Sequence, residues 1–163
     1  MTTLSEQERI ALQRACIVEH MRGENAHDWP AVYETFIRDE RASYDVVPLS
    51  THFAGFAGVV DFYTAFDAAV PDFKLVNTAE YDVAGCSIRE VTVTGTHQAE
   101  FCGVQPTGQK VKFELAAFYL FGQGAEAGKL LTERVYFDLE TVLRQMRGEP
   151  NAPTGVGLAE LAA

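Results

Sequence analysis

Cysteine is scarce and unpatterned in this chain. Cys16, Cys86 and Cys102 are odd in number, widely spaced and free of any C-x-x-C pair, which argues against a disulfide framework and against a structural zinc site. No apolar run approaches the ~18 residues of a membrane-spanning helix. The first residues, Met1-Thr2-Thr3-Leu4-Ser5-Glu6, are too polar for a signal peptide, so the expected location is the cytoplasm. Basic residues are also few: 13 Lys and Arg face 23 Asp and Glu, a formal charge of −10. The basic residues are scattered, and so acidic a chain repels phosphate backbones and anionic bilayers, which excludes nucleic acid and membrane surfaces as expected partners. A P-loop, a nucleophile elbow and a dinucleotide fingerprint are all missing. Gly122-x-Gly124 sits in a hairpin rather than between a strand and a helix.

Aromatic residues, by contrast, are plentiful. Eleven Phe and six Tyr stand against one Trp in 163 residues, so much of the interior, or of a pocket, is aromatic. Ser5 and Glu8 have capping-box spacing and start a helix reaching about Met21, with Gly23 as its interruption. Asp28 caps a second helix whose Trp29, Val32, Tyr33 and Phe36 share one face. A short extended stretch covers 43–48, and Gly55 and Gly58 read as turn residues. Val59, Phe62, Tyr63, Phe66 and Val70 repeat the helical stripe up to Pro71-Asp72.

After residue 73 the period changes from 3.6 to 2. Val91, Val93, Gly95, His97, Ala99 and Phe101 form one face of a strand. Pro106-Thr107-Gly108 is a turn, 111–121 a covered strand, and 122–128 a hairpin loop. A last strand over 129–138 precedes a short helix over 139–146. Residues 1–147 then make one domain and 148–163 a loose tail. Helices followed by an antiparallel sheet give the α+β class.

Several short motifs occur in one order: Pro71-Asp72, Gly95-Thr96-His97, Phe101-x-Gly103, the run Pro106-Thr107-Gly108-Gln109-Lys110-Val111, Glu133 with Asp138, and Leu143-x-Gln145. Together they resemble the SnoaL-like polyketide cyclase, or ester cyclase, branch of the nuclear transport factor 2 superfamily, over roughly residues 10–147. The resemblance implies a cone-shaped barrel made of a curved antiparallel sheet and three N-terminal helices. It also implies a pocket for a small hydrophobic organic ligand, no cofactor, no metal, and a homodimer through the sheet, where Phe118 and Leu120 would suit the contact.

The resemblance further implies acid/base catalysis on a hydrophobic carbonyl compound, of cyclase, isomerase or lyase type, with Asp138 as the catalytic carboxylate. The alternative role for Asp138 is the N-cap of the terminal helix. Strand alternation puts Arg134 and Tyr136 on the face of Asp138, and Glu133, Val135 and Phe137 on the other. Tyr136 would then assist an enolate, while Arg134 either touches substrate or makes a surface ion pair. His97 is a proton carrier or a buried structural residue. Tyr44, Phe62 and Phe113 are candidates for the pocket lining, and His20 could reach the cavity from the first helix. The cluster His20, Glu24, His27 and Asp28 reads as capping and ion pairing rather than as a metal site. Two other functions fit the same scaffold: a noncatalytic binding or dimerisation module, and an epoxide hydrolase or dehydratase built on an Asp–Arg–Asp set.

Overall fold

In a computed structural model, residues 4–150 are described. Ser5 opens α1 (Glu6–Ala26) with the expected capping box, its side chain accepting from the Glu8 N–H while the Glu8 carboxylate accepts from the Ser5 N–H. The helix does not stop near Met21. It continues through Gly23 because that position lies against α2 (Trp29–Glu34): a Cβ on Gly23 would sit 2.9 Å from Val32 Cγ2. His27, at φ 54°, ends α1 in the left-handed region, and Asp28 then caps α2 through the Ala31 N–H.

The remaining elements are β1 (Ser43–Val46), β2 (Thr51–Ala54), α3 (Gly55–Ala69), β3 (Lys74–Val83), β4 (Cys86–Thr96), β5 (Lys110–Phe121), β6 (Leu130–Phe137) and α4 (Leu139–Arg147). They form one six-stranded sheet in the order β2-β1-β6-β5-β4-β3. Only β1 and β6 run parallel. The order is linear, so the curved sheet stays open and does not close into a barrel. Among the described residues, no helix is long and apolar enough to cross a membrane.

Three details differ from the sequence expectation. Gly58 is not a turn residue but lies inside α3, where a Cβ would meet the Phe53 backbone at 2.6 Å. The strand expected over 91–101 leaves the sheet after Thr96; residues 97–109 fold back on themselves, with the His97 N–H donating to Gln109 O and the Gly108 N–H to His97 O. Its partner β3, over which no strand is expected from the sequence, alternates Leu75, Ala79, Tyr81 and Val83 with polar residues, but as an edge strand it leaves most of its side chains in solvent. The expected tail begins where Gly148 caps α4 at φ 73°; residues 151–163 lie outside the described residues.

Two hydrophobic clusters fill the inner side of the sheet. One joins α1, α2 and α3 to β1, β5 and β6 around Ile17, Val32, Phe36, Tyr63 and Tyr119. The other joins the end of α3 to β5 and α4 around Val70, Phe73, Val111, Val142 and Met146. Each fully buried large side chain contributes about 1.5–3 kcal/mol, so packing against the sheet, rather than helix propensity, holds α1 and α4 in place.

Candidate active site

A cavity of about 240 Å³ lies between these clusters. Its walls are chiefly apolar, aliphatic and aromatic alike, with Phe53, Phe62, Phe66, Phe113 and Phe137 among the rings. Among the described residues, the charged side chains in the wall are Glu24, Glu133 and Glu100, and neither Lys nor Arg lines it. Glu100 and Cys102 are exposed and mark where the cavity reaches solvent, whereas Glu24 and Glu133 are 4% and 3% exposed.

Three strands and two helices bring the buried polar groups together. Glu133 of β6 is paired in register with Tyr44 of β1 on one side and Tyr119 of β5 on the other. Because alternate residues of a strand share a face, these three side chains form a row on the inner surface. The Tyr44 hydroxyl donates to Glu133 Oε1 at 3.2 Å. From above, α1 contributes His20 and Glu24 one turn apart, and α3 contributes Tyr63. His20 Nε2 is 3.1 Å from Glu133 Oε2 and 3.5 Å from Glu24 Oε1. The Tyr63 oxygen lies 2.9–3.0 Å from all three of these atoms.

The protons of this cluster can be placed. The Thr35 hydroxyl donates to Val32 O at 2.6 Å, so its oxygen must accept from His20 Nδ1, 2.8 Å away. That fixes a proton on Nδ1. Nε2 then faces two carboxylates. Burial alone would push the imidazole down, but Glu24 and then Glu133 outweigh it and raise its pKa to about 10. His20 so raised is an imidazolium, with its Nε2 proton directed at Glu133, 3.1 Å away. Glu24 itself is pushed up, chiefly by burial, against the opposing pull of His20. Its Oε1 has Tyr63 as donor, while Oε2 is buried with no partner. An unmatched buried oxygen costs about 1–3 kcal/mol or more; here it belongs to a residue of the cavity wall. Burial first, and then the carboxylates, push the phenols of Tyr44 and Tyr63 well above their ordinary range, so both remain donors.

The residues expected from the sequence divide into two groups. Tyr44, Phe62 and Phe113 line the cavity, with Tyr44 and Phe62 stacked at 3.5 Å between ring centroids. His20 stands immediately behind Glu24 and Glu133. Asp138, Tyr136 and Arg134 lie elsewhere. They do share a strand face, but it is the outer one. Asp138 is exposed and caps α4, accepting from the Thr141 N–H and hydroxyl, which hold its carboxyl below the usual range. The expected position of Asp138 inside the pocket is thus corrected, and its capping alternative is what the fold displays. Tyr136 is 42% exposed. Arg134 pairs with Asp45 at 2.9 Å outside the cavity, so an Asp–Arg–Asp set does not surround the pocket.

His97 is fully buried, as its apolar strand face implies, yet it does not border the cavity. Its Nδ1 is 3.1 Å from the Thr107 hydroxyl, which donates to Met146 O, so it ties the 97–109 loop to α4; Nε2 has no partner. The capping reading of the helix-end cluster holds for Asp28, while His27 bonds Asp67 at 2.9 Å. Glu24 and Glu133 are the site residues that sequence reasoning passed over.

Among solved structures, AclR, a candidate hydroxylase from Streptomyces galilaeus, superposes with a TM-score of 0.72 at 25% identity, over 94% of this chain and 93% of AclR. A candidate SnoaL-like polyketide cyclase from Jannaschia sp. CCS1 gives 0.77 at 17% identity, over 90% and 99% of the two chains. IdmH, a candidate polyketide cyclase from Streptomyces antibioticus, gives 0.67 at 18%, over 83% and 98%. None of the curated proteins is a significant match. The family of SnoaL-like polyketide cyclases matches residues 15–146, and the open curved sheet with its helices is that family's scaffold: the chain belongs to the SnoaL-like polyketide cyclases.

Proposed function

We propose that this protein is an acid/base enzyme that moves a proton to and from a small carbonyl compound held in the apolar cavity. The observation that carries this reading is the unpartnered Glu24 Oε2, buried in the cavity wall beside an imidazolium–carboxylate pair. Glu24 is the group that meets the substrate. In its neutral form it gives its Oε2 proton to the carbonyl oxygen as the enol forms, and the carboxylate so produced takes the proton from the neighbouring carbon; the reverse transfers restore both. A carboxyl group serves both directions near neutrality when burial lifts its pKa toward the working pH. His20 and Glu133 act through Glu24: their ion pair leaves the cluster electrically neutral while Glu24 holds its proton, and the imidazolium stabilises Glu24 after the proton has left.

Support for catalysis over simple binding comes from the desolvated charge. Three ionisable side chains buried together are expensive to maintain, and a binding cavity alone needs none of them. The outer face of the sheet, where Phe118 meets an exposed Tyr136 at 5.4 Å, supports a second copy of the chain as partner.

The test is hydrogen–deuterium exchange at the carbon next to the carbonyl of 2-tetralone in D2O, followed by NMR. The wild type should accelerate exchange over buffer, and Glu24→Gln should lose about 10²-fold or more of that acceleration. No acceleration, or equal acceleration by Glu24→Gln, would reject the reading.

A further inference from the structure

We infer that the ligand of this cavity is a neutral ketone of one or two fused rings, bound with its oxygen on Glu24 Oε2, and that three- and four-ring compounds are excluded. The inference rests on the placement of Glu24 under the proposed function and adds the substrate class.

Size sets the first limit. A dry apolar cavity of about 150 Å³ holds one benzene ring, about 25 Å³ for each ring carbon. On that scale the 240 Å³ here accommodates about ten ring atoms, which is a bicyclic skeleton. A four-ring skeleton of about eighteen carbons needs nearly twice the space. The space cannot be enlarged cheaply. Tyr44 and Phe62 are stacked on each other, Phe62 is stacked on Phe66, and Phe66 packs on Phe73 at 4.8 Å. Opening this wall would break a continuous row of ring contacts in a close-packed interior.

Charge sets the second limit. Every charged group in the wall is a glutamate. A carboxylate, phosphate or thioester-linked nucleotide would enter beside Glu100 and come to rest near Glu133 with no cation free to receive it, since His20 is already committed to Glu133. Burying an unpaired anion is prohibitive. A neutral ligand is left.

Hydrogen bonding sets the third. Tyr44 is committed to Glu133, and Tyr63 is enclosed by His20, Glu24 and Glu133. Glu24 Oε2 remains as a buried atom without a partner, and Tyr119, a further phenol of the wall, stays a donor because burial holds it well above its ordinary range. In the protonated form that the proposed function uses, Oε1 accepts from Tyr63 and Oε2 bears the proton, which calls for an acceptor. One oxygen on an otherwise apolar skeleton satisfies it, and a ketone supplies that oxygen without adding a donor that would then be unmatched.

Calorimetric titration of the full chain with 2-tetralone, tetralin and a four-ring steroid ketone separates these limits. The expected result is binding of 2-tetralone at one per chain, at least tenfold weaker binding of tetralin, which has the same rings without the oxygen, and no binding of the steroid. Phe66→Ala should admit larger ligands, and Glu24→Gln should retain 2-tetralone because its amide also donates. Steroid binding as tight as that of 2-tetralone would overturn the size limit, and tetralin binding as tight would overturn the role of Glu24 Oε2. Loss of 2-tetralone binding in a folded Glu24→Gln protein with wild-type Tm would also overturn it. Binding of 2-tetralone without accelerated exchange would sink the proposed catalysis and leave this inference standing.

Discussion

His20 and Glu133 stand 113 residues apart in the chain and 3.1 Å apart in the fold. Their contact ties the middle of the first helix to the inner face of the last strand, so one ion pair couples the tertiary structure to the chemistry of the cavity wall. Removing His20 should therefore be felt first as instability. His20→Ala leaves Glu133 buried without its cation, and breaking a buried pair in this way costs about 3–5 kcal/mol. Urea unfolding at pH 8 measures it. At pH 5 the deficit should shrink, because the orphaned carboxyl group can then be protonated.

The same cluster sets the pH profile of the folded protein. His20 binds its proton more tightly folded than unfolded, since its pKa rises from 6.5 to about 10. Its contribution is complete below about pH 6.5 and is lost as pH climbs toward 10. Glu24, raised by burial, has the same sign: stability falls as pH rises above the ordinary carboxylate range. Asp72, held low by hydrogen bonds from Thr96, works oppositely and loses its contribution on acidification. Stability should accordingly peak on the acid side of neutrality and decline between about pH 6.5 and 10. Thermal unfolding across that range is the check; His20→Gln should flatten the alkaline decline, and an unchanged slope would contradict the assignment.

Asp138 gives a control that lies outside the cavity. Asp138→Ala should cost about 0.5–2 kcal/mol through the lost helix cap, and Asp138→Asn much less, since asparagine caps as well. Neither change should alter 2-tetralone binding or exchange. A 10²-fold loss of exchange in Asp138→Asn would return this residue to the chemistry.

The outer sheet face yields a prediction about assembly. Phe118 and Tyr136 meet there in an edge-to-face contact, and Tyr136 is 42% exposed. Sedimentation at micromolar concentration should find a dimer. Phe118→Asp should shift it toward monomer without loss of fold, and a wild-type monomer would show that this face is not covered by a second copy.

Strand alternation made most of the sheet readable from the sequence, and it also explains the misplaced carboxylate. The pattern in β6 separated Glu133, Val135 and Phe137 from Arg134, Tyr136 and Asp138, as the fold has them. Which set faces inward could be read from its chemistry: Val135 and Phe137, which share that face with Glu133, are apolar, whereas Arg134 and Asp138 are charged. A lone glutamate on an apolar face was the available signal for the site. Glu24 was harder to find, because Gly23 beside it reads as a helix break. Only the close approach of Val32, a long-range packing fact, explains why the helix continues and carries Glu24 inward. The 97–109 loop was unreadable for a similar reason. Its His97, Ala99 and Phe101 keep a period of two, but Thr107 and α4 hold that segment away from the sheet.

The proposed chemistry depends most on the charge of one ring. Nitrogen-15 NMR of the four imidazoles reads it directly, with the His20 signal identified by its disappearance in His20→Gln. The expected spectrum at pH 8 shows this ring protonated on both nitrogens. A His20 ring that titrates near 6.5, like an ordinary histidine, would contradict the buried ion pair and the catalytic reading built on it.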